Sequence, residues 1–359
     1  MTSTAEQPLS DPRSLRYAVP GVVIIEHRLT VPVDWSAPDA YAPIEIFARE
    51  IVDPARAGDD LPLLLFLQGG PGGQGPRPLA AGWWTTALAT HRVVLVDQRG
   101  TGRSSRIDGR RIAGFDDAAA AAAYLACFRA DAIVADVEHL RHTVYGGRKW
   151  STLGQSYGGF LTLAYLSRHP EALTACYVTG GLPGITADAE EVYRRTYPRQ
   201  VARNAEFARR YPDDVALLGF TVERLQLLGM PFGMSTGADA LHWLLDTAHG
   251  DGAAPEPTDA FGAAVARQTG FDDNPLYAVL QEAIYHQGTR APGWAAQAEH
   301  ERRPAFGAGE RPLLLTGEAA YPWMFAQIRA LRPFQGAAEE LAARTEWPQL
   351  YDLERLAAN

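Results

Sequence analysis

The chain has 359 residues and a mass of 39.0 kDa, enough for one large α/β domain or two smaller ones. A hydrophobic share of 47% against a charged share of 21% argues against global disorder. The net charge is −9 with no Lys/Arg block, and the apolar runs fall far short of a membrane span, so neither a nucleic-acid nor a membrane partner is expected.

The first 13 residues are polar and lack the apolar stretch of a secretory signal, so a cytoplasmic address is the expectation. Cys127 and Cys176 are then expected as two buried thiols. Residues 22–33 and 44–52 are rich in β-branched side chains and flank a turn-rich loop, predicting an antiparallel pair. Residues 61–67 and 92–96 are continuous apolar runs that read as strands buried on both faces, as in a parallel sheet. Residues 79–90 between them have helical composition. Residues 131–145 carry Ile133, Val134, Val137, Leu140 and Val144 at helical spacing. A strand at 150–153, a helix at 158–168 and a strand near 175–179 follow. This alternation predicts a doubly wound, mostly parallel sheet.

Beyond Gly180 the texture turns helical and aromatic from about residue 186 to 306, with Tyr193, Tyr197, Phe220, Tyr277 and Tyr285 among the rings and loop punctuation at 250–257 and 272–275. We read residues 1–184 as the sheet core and 185–359 as a mostly helical lid with its return segment. Within the latter, residues 311–316 resemble a β-run, and 326–359 read as helical with breaks at Pro333 and Pro348.

Three motifs carry chemistry. Gly154-Gln155-Ser156-Tyr157-Gly158-Gly159 follows a strand and opens a helix, as a nucleophile elbow requires: small residues flank a serine presented on a cramped turn. The bland alternative is a tight glycine turn with a capping serine. Gln68-Gly69-Gly70-Pro71-Gly72-Gly73 follows a strand and can aim backbone N–H groups at a developing oxyanion. The donors expected are the amide of Tyr157 and that of Gly70 or Gly69. Asp97-Gln98-Arg99-Gly100-Thr101-Gly102-Arg103-Ser104-Ser105 lacks phosphate-loop spacing and reads as scaffolding between loops.

In this order the motifs resemble those of the proline iminopeptidase (prolyl aminopeptidase) family of α/β-hydrolases, closest to its larger bacterial type, which shares the Phe128–Val134 stretch, Phe-Arg-Ala-Asp-Ala-Ile-Val here. The resemblance runs from about Val22 to Asn359, with Gln68 where the family usually has histidine. It implies an α/β-hydrolase fold with an inserted helical lid. It also implies a serine aminopeptidase that releases N-terminal proline, or a similar residue, from short peptides with a free N-terminus, without metal or cofactor. Ser156 would be the nucleophile, and a carboxylate would pair with the substrate ammonium, which cannot be buried alone. Glu282, in Glu282-Ala283-Ile284-Tyr285, matches a family lid pattern, and Glu318 is a second candidate.

A serine hydrolase of this fold also needs an acid and then a histidine after the serine. The later histidines are His169, His242, His249, His286 and His300. His169 sits at the far end of the helix after the elbow, ~20 Å away by rise, and the others fall in the predicted lid. Family comparison assigns Thr316-Gly317-Glu318, Tyr321-Pro322-Trp323 and the segment 347–352 to the lid as well. The expectation is a chain that stops before the triad Asp and His and before the last strands, weakly active or inactive, with an open sheet edge. Two alternatives remain: a lidded esterase or amidase, and a non-catalytic hydrolase-like remnant. Oligomeric state is left open.

Overall fold

Seven strands build one sheet because the first half of the chain alternates β-branched apolar runs with tight turns. They are β1 (Arg13–Val19), β2 (Val22–Val31), β3 (Ile44–Val52), β4 (Leu63–Leu67), β5 (Arg92–Asp97), β6 (Trp150–Gln155) and β7 (Leu173–Thr179), in spatial order β1-β2-β3-β5-β4-β6-β7. The computed structural model describes residues 13–79, 81–218, 223–248 and 258–359. Expectations that fall on residues 1–12, Phe220, His249 and the loop 250–257 lie outside these.

β1, β2 and β3 pair antiparallel, while β5, β4, β6 and β7 run parallel. This is the mostly parallel, mixed sheet of an α/β-hydrolase. β4 is buried along its whole length, the signature of a strand covered on both faces. β1 was not expected. It is exposed and mixed in character, so it carries no apolar alternation, and it forms because Pro20-Gly21 folds it back onto β2. The expected helix at 79–90 contracts to Trp83–Ala87, whose two tryptophans pack on Phe66, Leu64 and Val93.

The helix Ala130–Tyr145 buries Ile133, Val134, Val137 and Leu140, as its spacing predicted, and ends on Gly146 in the left-handed region. Both cysteines remain thiols, half-buried rather than fully buried. Among the described residues β1 and β7 are the two edges of the sheet, with Tyr177 of β7 56% exposed.

The chain divides into two compact units. The sheet unit comprises Met1–Asp108, Ala120–Ile185 and Trp347–Asn359, and the helical unit comprises Gly109–Ala119 and Thr186–Glu346. In the sheet unit, residues 347–359 lie along the end of the helix Tyr157–Arg168: Arg355 donates to the Arg168 carbonyl at 2.6 Å and pairs with Glu171 at 3.1 Å.

The helical unit includes the 22-residue helix Ala189–Arg210, capped by Asp188, which accepts from the Glu191 amide at 3.0 Å. Phe207, Leu228, Phe232, Leu241, Leu245, Phe261, Leu313 and Leu315 form its core. The β-run expected at residues 311–316 is not a strand. Side chains occupy its backbone groups instead. Asn204 accepts from the Leu315 amide and donates to its carbonyl, and Gln226 donates to the Leu314 carbonyl. An apolar run can be buried by helices as well as by strands, and periodicity alone does not separate the two.

Candidate active site

Parallel pairing brings three loops to the carboxyl ends of neighbouring strands, where open α/β sheets bind ligands. Leu67 of β4 pairs with Gly154 of β6, and Phe66 pairs with Leu95 of β5. The Gly-rich loop, the Asp97–Ser105 loop and the Ser156 turn therefore leave the sheet side by side.

Ser156 sits at φ 54°, ψ −121°, between β6 and the helix Tyr157–Arg168. That conformation is strained for a non-glycine residue, costing on the order of 1–3 kcal/mol. Two backbone bonds hold it: the Ser156 amide donates to the Thr179 carbonyl at 2.9 Å, and the Gly159 amide donates to the Ser156 carbonyl at 2.8 Å. The flanking glycines follow from packing. A Cβ on Gly154 would lie 2.2 Å from the Gly158 carbonyl oxygen, and one on Gly158 would lie 1.9 Å from that of Leu67. A Cβ on Gly159 would likewise lie 1.8 Å from the Gly181 carbonyl oxygen. The half-buried serine thus stands at the N-terminus of a 12-residue helix, whose dipole favours negative charge.

The Gly-rich loop lies against it. A Cβ on Gly69 would be 3.0 Å from Ser156 Cβ and 3.4 Å from Oγ. Gly70, at φ 130° and followed by a cis peptide bond to Pro71, turns the chain there. The amides of Gly69, Gly70 and Tyr157 have no protein acceptor among the described residues.

Gln98 fixes this loop, a role that sequence reasoning did not find. Its Oε1 accepts from the amides of Gly72 and Gly73 at 3.1 and 3.2 Å, and its Nε2 donates to the carbonyls of Gln68 and Gly69 at 2.6 and 3.3 Å. Its neighbours scaffold as expected. Asp97 is fully buried and bound by Arg77 at 2.7 and 2.9 Å, by the Gly75 amide and by the Arg103 amide. Arg99 grips Asp136 with two bonds of 2.8 and 2.6 Å and donates to the carbonyls of Val33, Cys127 and Pro32.

Ser156 Oγ has no hydrogen-bond partner within the sheet unit among the described residues. The histidines of that unit are engaged elsewhere. His27 faces Ser14 and Glu50, His91 bonds Thr90, and His142 contacts Arg141 and Glu138. His139 packs on Trp35, and His169 lies by Tyr165 and Glu171. In the helical unit His242 pairs with Asp214 at 2.8 Å and stacks on Tyr211, while His300 packs edge-on against Tyr321.

Glu282 and Glu318 belong to the helical unit and differ sharply. Glu282 is buried and accepts from the amides of Ala295 and Ala296 at 3.0 and 2.9 Å, capping the helix Ala295–Glu301. Burial outweighs those bonds and pushes its carboxyl up to about 7. Glu318 instead lines a cavity of about 330 Å³ together with Tyr193, Tyr197, Tyr285, Tyr321 and Phe232. Its side chain is exposed, yet the surrounding protein raises its carboxyl, opposed by a hydrogen bond from Tyr277 to Oε1. Tyr277 lies 41 residues away in sequence, so no local motif could have paired the two.

Comparison with known proteins agrees with this architecture. A family model described as alpha/beta hydrolase fold matches residues 62–329. A proline iminopeptidase of Aeromonas sobria is 40% identical over 366 residues, covering 96% of this chain and 85% of that protein. A proline iminopeptidase of Aspergillus aculeatus is 32% identical over 360 residues, covering 93% and 80% respectively. With the mixed sheet, the serine turn and the Gly-rich loop in place, the chain belongs to the α/β-hydrolase fold family and, within it, to the proline iminopeptidases.

Proposed function

We propose that the protein is a serine aminopeptidase that releases N-terminal proline, or a similar residue, from short peptides. The observation that carries this reading is the strained Ser156 lying against Gly69, with the amides of Tyr157, Gly69 and Gly70 uncommitted. Ser156 Oγ attacks the carbonyl carbon of the N-terminal residue, and the carbonyl oxygen takes negative charge facing the Tyr157 amide and that of Gly70 or Gly69. Collapse breaks the C–N bond, the proton given up by the serine hydroxyl ends on the departing amine, and the acyl-enzyme left behind is hydrolysed by water.

A carboxylate in the helical unit reads the free amine. Both oxygens of Glu282 are already taken by backbone amides, whereas Glu318 has Oε1 bound by Tyr277 and Oε2 without a partner among the described residues. Glu318 is therefore the favoured reader, and Glu282 a helix-capping residue.

The attack needs an acceptor for the serine proton, and no described histidine of the sheet unit stands at Ser156. Full turnover is accordingly proposed to need an imidazole at Ser156 Oγ, since binding and oxyanion stabilisation alone give ~10³–10⁴ over water. The test compares proline p-nitroanilide with its N-blocked counterpart, alongside fluorophosphonate labelling of wild type and Ser156→Ala. Faster turnover of the free amine and labelling that Ser156→Ala abolishes are the expected results. Equal rates with free and blocked substrates, or preference for simple esters, would support a lidded esterase or amidase instead. A chain that neither labels nor turns over would favour a non-catalytic relative.

A further inference from the structure

We propose that Tyr193 is a substrate-binding residue, whose hydroxyl takes an N–H of the ligand's free amine inside the cavity that Glu318 lines. The inference rests on the reading above that this cavity receives the substrate amine, and it adds a second polar contact there.

Three observations carry it. First, Tyr193 is 2% exposed, and its hydroxyl is buried with no hydrogen-bond partner among the described residues. Such a hydroxyl costs about 1–3 kcal/mol relative to a paired one; those of Tyr145, Tyr157 and Tyr351 are also unpartnered among the described residues, but Tyr193 is the one of the four that lines this cavity. Second, Tyr193 lines the same cavity of about 330 Å³ as Glu318. The other phenols whose bonds are defined there are satisfied: Tyr197 and Tyr321 bond each other at 2.8 Å. Third, the charges around it suit a cation. Both Glu282 and Glu318 act electrostatically on Tyr193, and burial together with these carboxylates holds its phenol well above the usual range, so it stays neutral. A neutral phenol oxygen lining the same cavity as the Glu318 carboxylate is an acceptor that an ammonium N–H can fill.

The chemistry selects the ligand class. A protonated secondary amine, as in an N-terminal proline, has two N–H donors. Glu318 Oε2 takes one and Tyr193 Oη the other, while the tyrosine rings of the cavity face the cation's apolar ring. An N-acylated ligand has no cation and no donor for either group.

The test uses the whole chain and the small ligand L-prolinamide, with N-acetyl-L-prolinamide as control, measured by calorimetry for wild type, Tyr193→Phe and Glu318→Gln, with thermal unfolding of each. Tyr193→Phe is expected to weaken prolinamide binding by about tenfold, and to raise the unfolding temperature, because it removes an unpaired buried hydroxyl. A purely structural tyrosine would lower the unfolding temperature instead. Unchanged prolinamide affinity in Tyr193→Phe overturns the proposal, as does a lowered unfolding temperature. Should Glu318→Gln bind prolinamide as wild type does, or the acetylated ligand bind equally well, the amine-reading function falls and this inference with it. Weakening by Glu318→Gln without weakening by Tyr193→Phe removes only Tyr193.

Discussion

Gly158→Ala is the sharpest test of why this turn has its sequence. The added Cβ would sit 1.9 Å from the Leu67 carbonyl oxygen and 2.8 Å from its carbon, where ordinary contact begins near 3.4 Å. The shortfall is about 1.5 Å, and the obstructing atom is backbone. Leu67 ends β4, which is paired on both sides by β5 and β6, so it cannot step aside as a side-chain tip would. Overpacking of this kind costs ~1–3 kcal/mol where side chains can adjust, and the rigid neighbour puts this case at about 3 kcal/mol or more. The remaining way out is for the helix Tyr157–Arg168 to move off β4, carrying Ser156 away from Gly69. A displacement near 1 Å at a reacting centre costs on the order of 10²-fold. The assay pairs urea unfolding with the rate of fluorophosphonate labelling. Gly262→Ala serves as control, since nothing lies within 4 Å of its Cβ position inside the helix Asp259–Gln268; it should gain roughly 0.5–1 kcal/mol. A Gly158→Ala protein as stable as wild type and labelled at the same rate would refute the close-packing account of the elbow.

Three further outcomes are expected. Gln98→Leu removes the contacts that pin the Gly-rich loop at Gly72, Gly73, Gln68 and Gly69. It should lose about 2–4 kcal/mol of stability and slow labelling of Ser156 more than it shifts the urea midpoint, whereas loss of stability alone would make Gln98 purely structural. Arg99→Met leaves the buried Asp136 without its guanidinium, and a loss of about 3–5 kcal/mol is expected by denaturant unfolding; a loss below about 1 kcal/mol would contradict it. Glu282 predicts a pH dependence. Its folded carboxyl lies near 7, above the 4.5 of an unperturbed glutamate, so the folded chain holds more protons between those values. Stability from this group is therefore full below pH 4.5 and declines as pH rises through 7, by on the order of 3 kcal/mol. Urea midpoints from about pH 4.5 to 8 should fall, and Glu282→Gln should flatten that slope; an unchanged slope in the variant would show that other groups cause it.

What the sequence determined by itself was local. Continuous apolar runs ending in glycine or a turn specified β4 and β5, and Gly154-x-Ser156-x-Gly158 specified the elbow after β6, because steric clash at a Cβ depends only on where the neighbouring backbone must pass. Helical spacing in residues 130–145 likewise named its buried face. Exposed β1 escaped notice because a strand of mixed polarity has no pattern apart from its partner, and the 311–316 run was misread because burial by helices leaves the same apolar signature as burial in a sheet. The polar partnerships were decided only by the tertiary structure. Gln98 meets the Gly-rich loop across some thirty residues, Tyr277 reaches Glu318 across 41, and Glu282 spends both oxygens on a helix start that begins 13 residues later. Hydrogen bonds are short-ranged and directional, so which side chains are paired, and which hydroxyl is left waiting, is written in the packing of elements rather than in the order of residues.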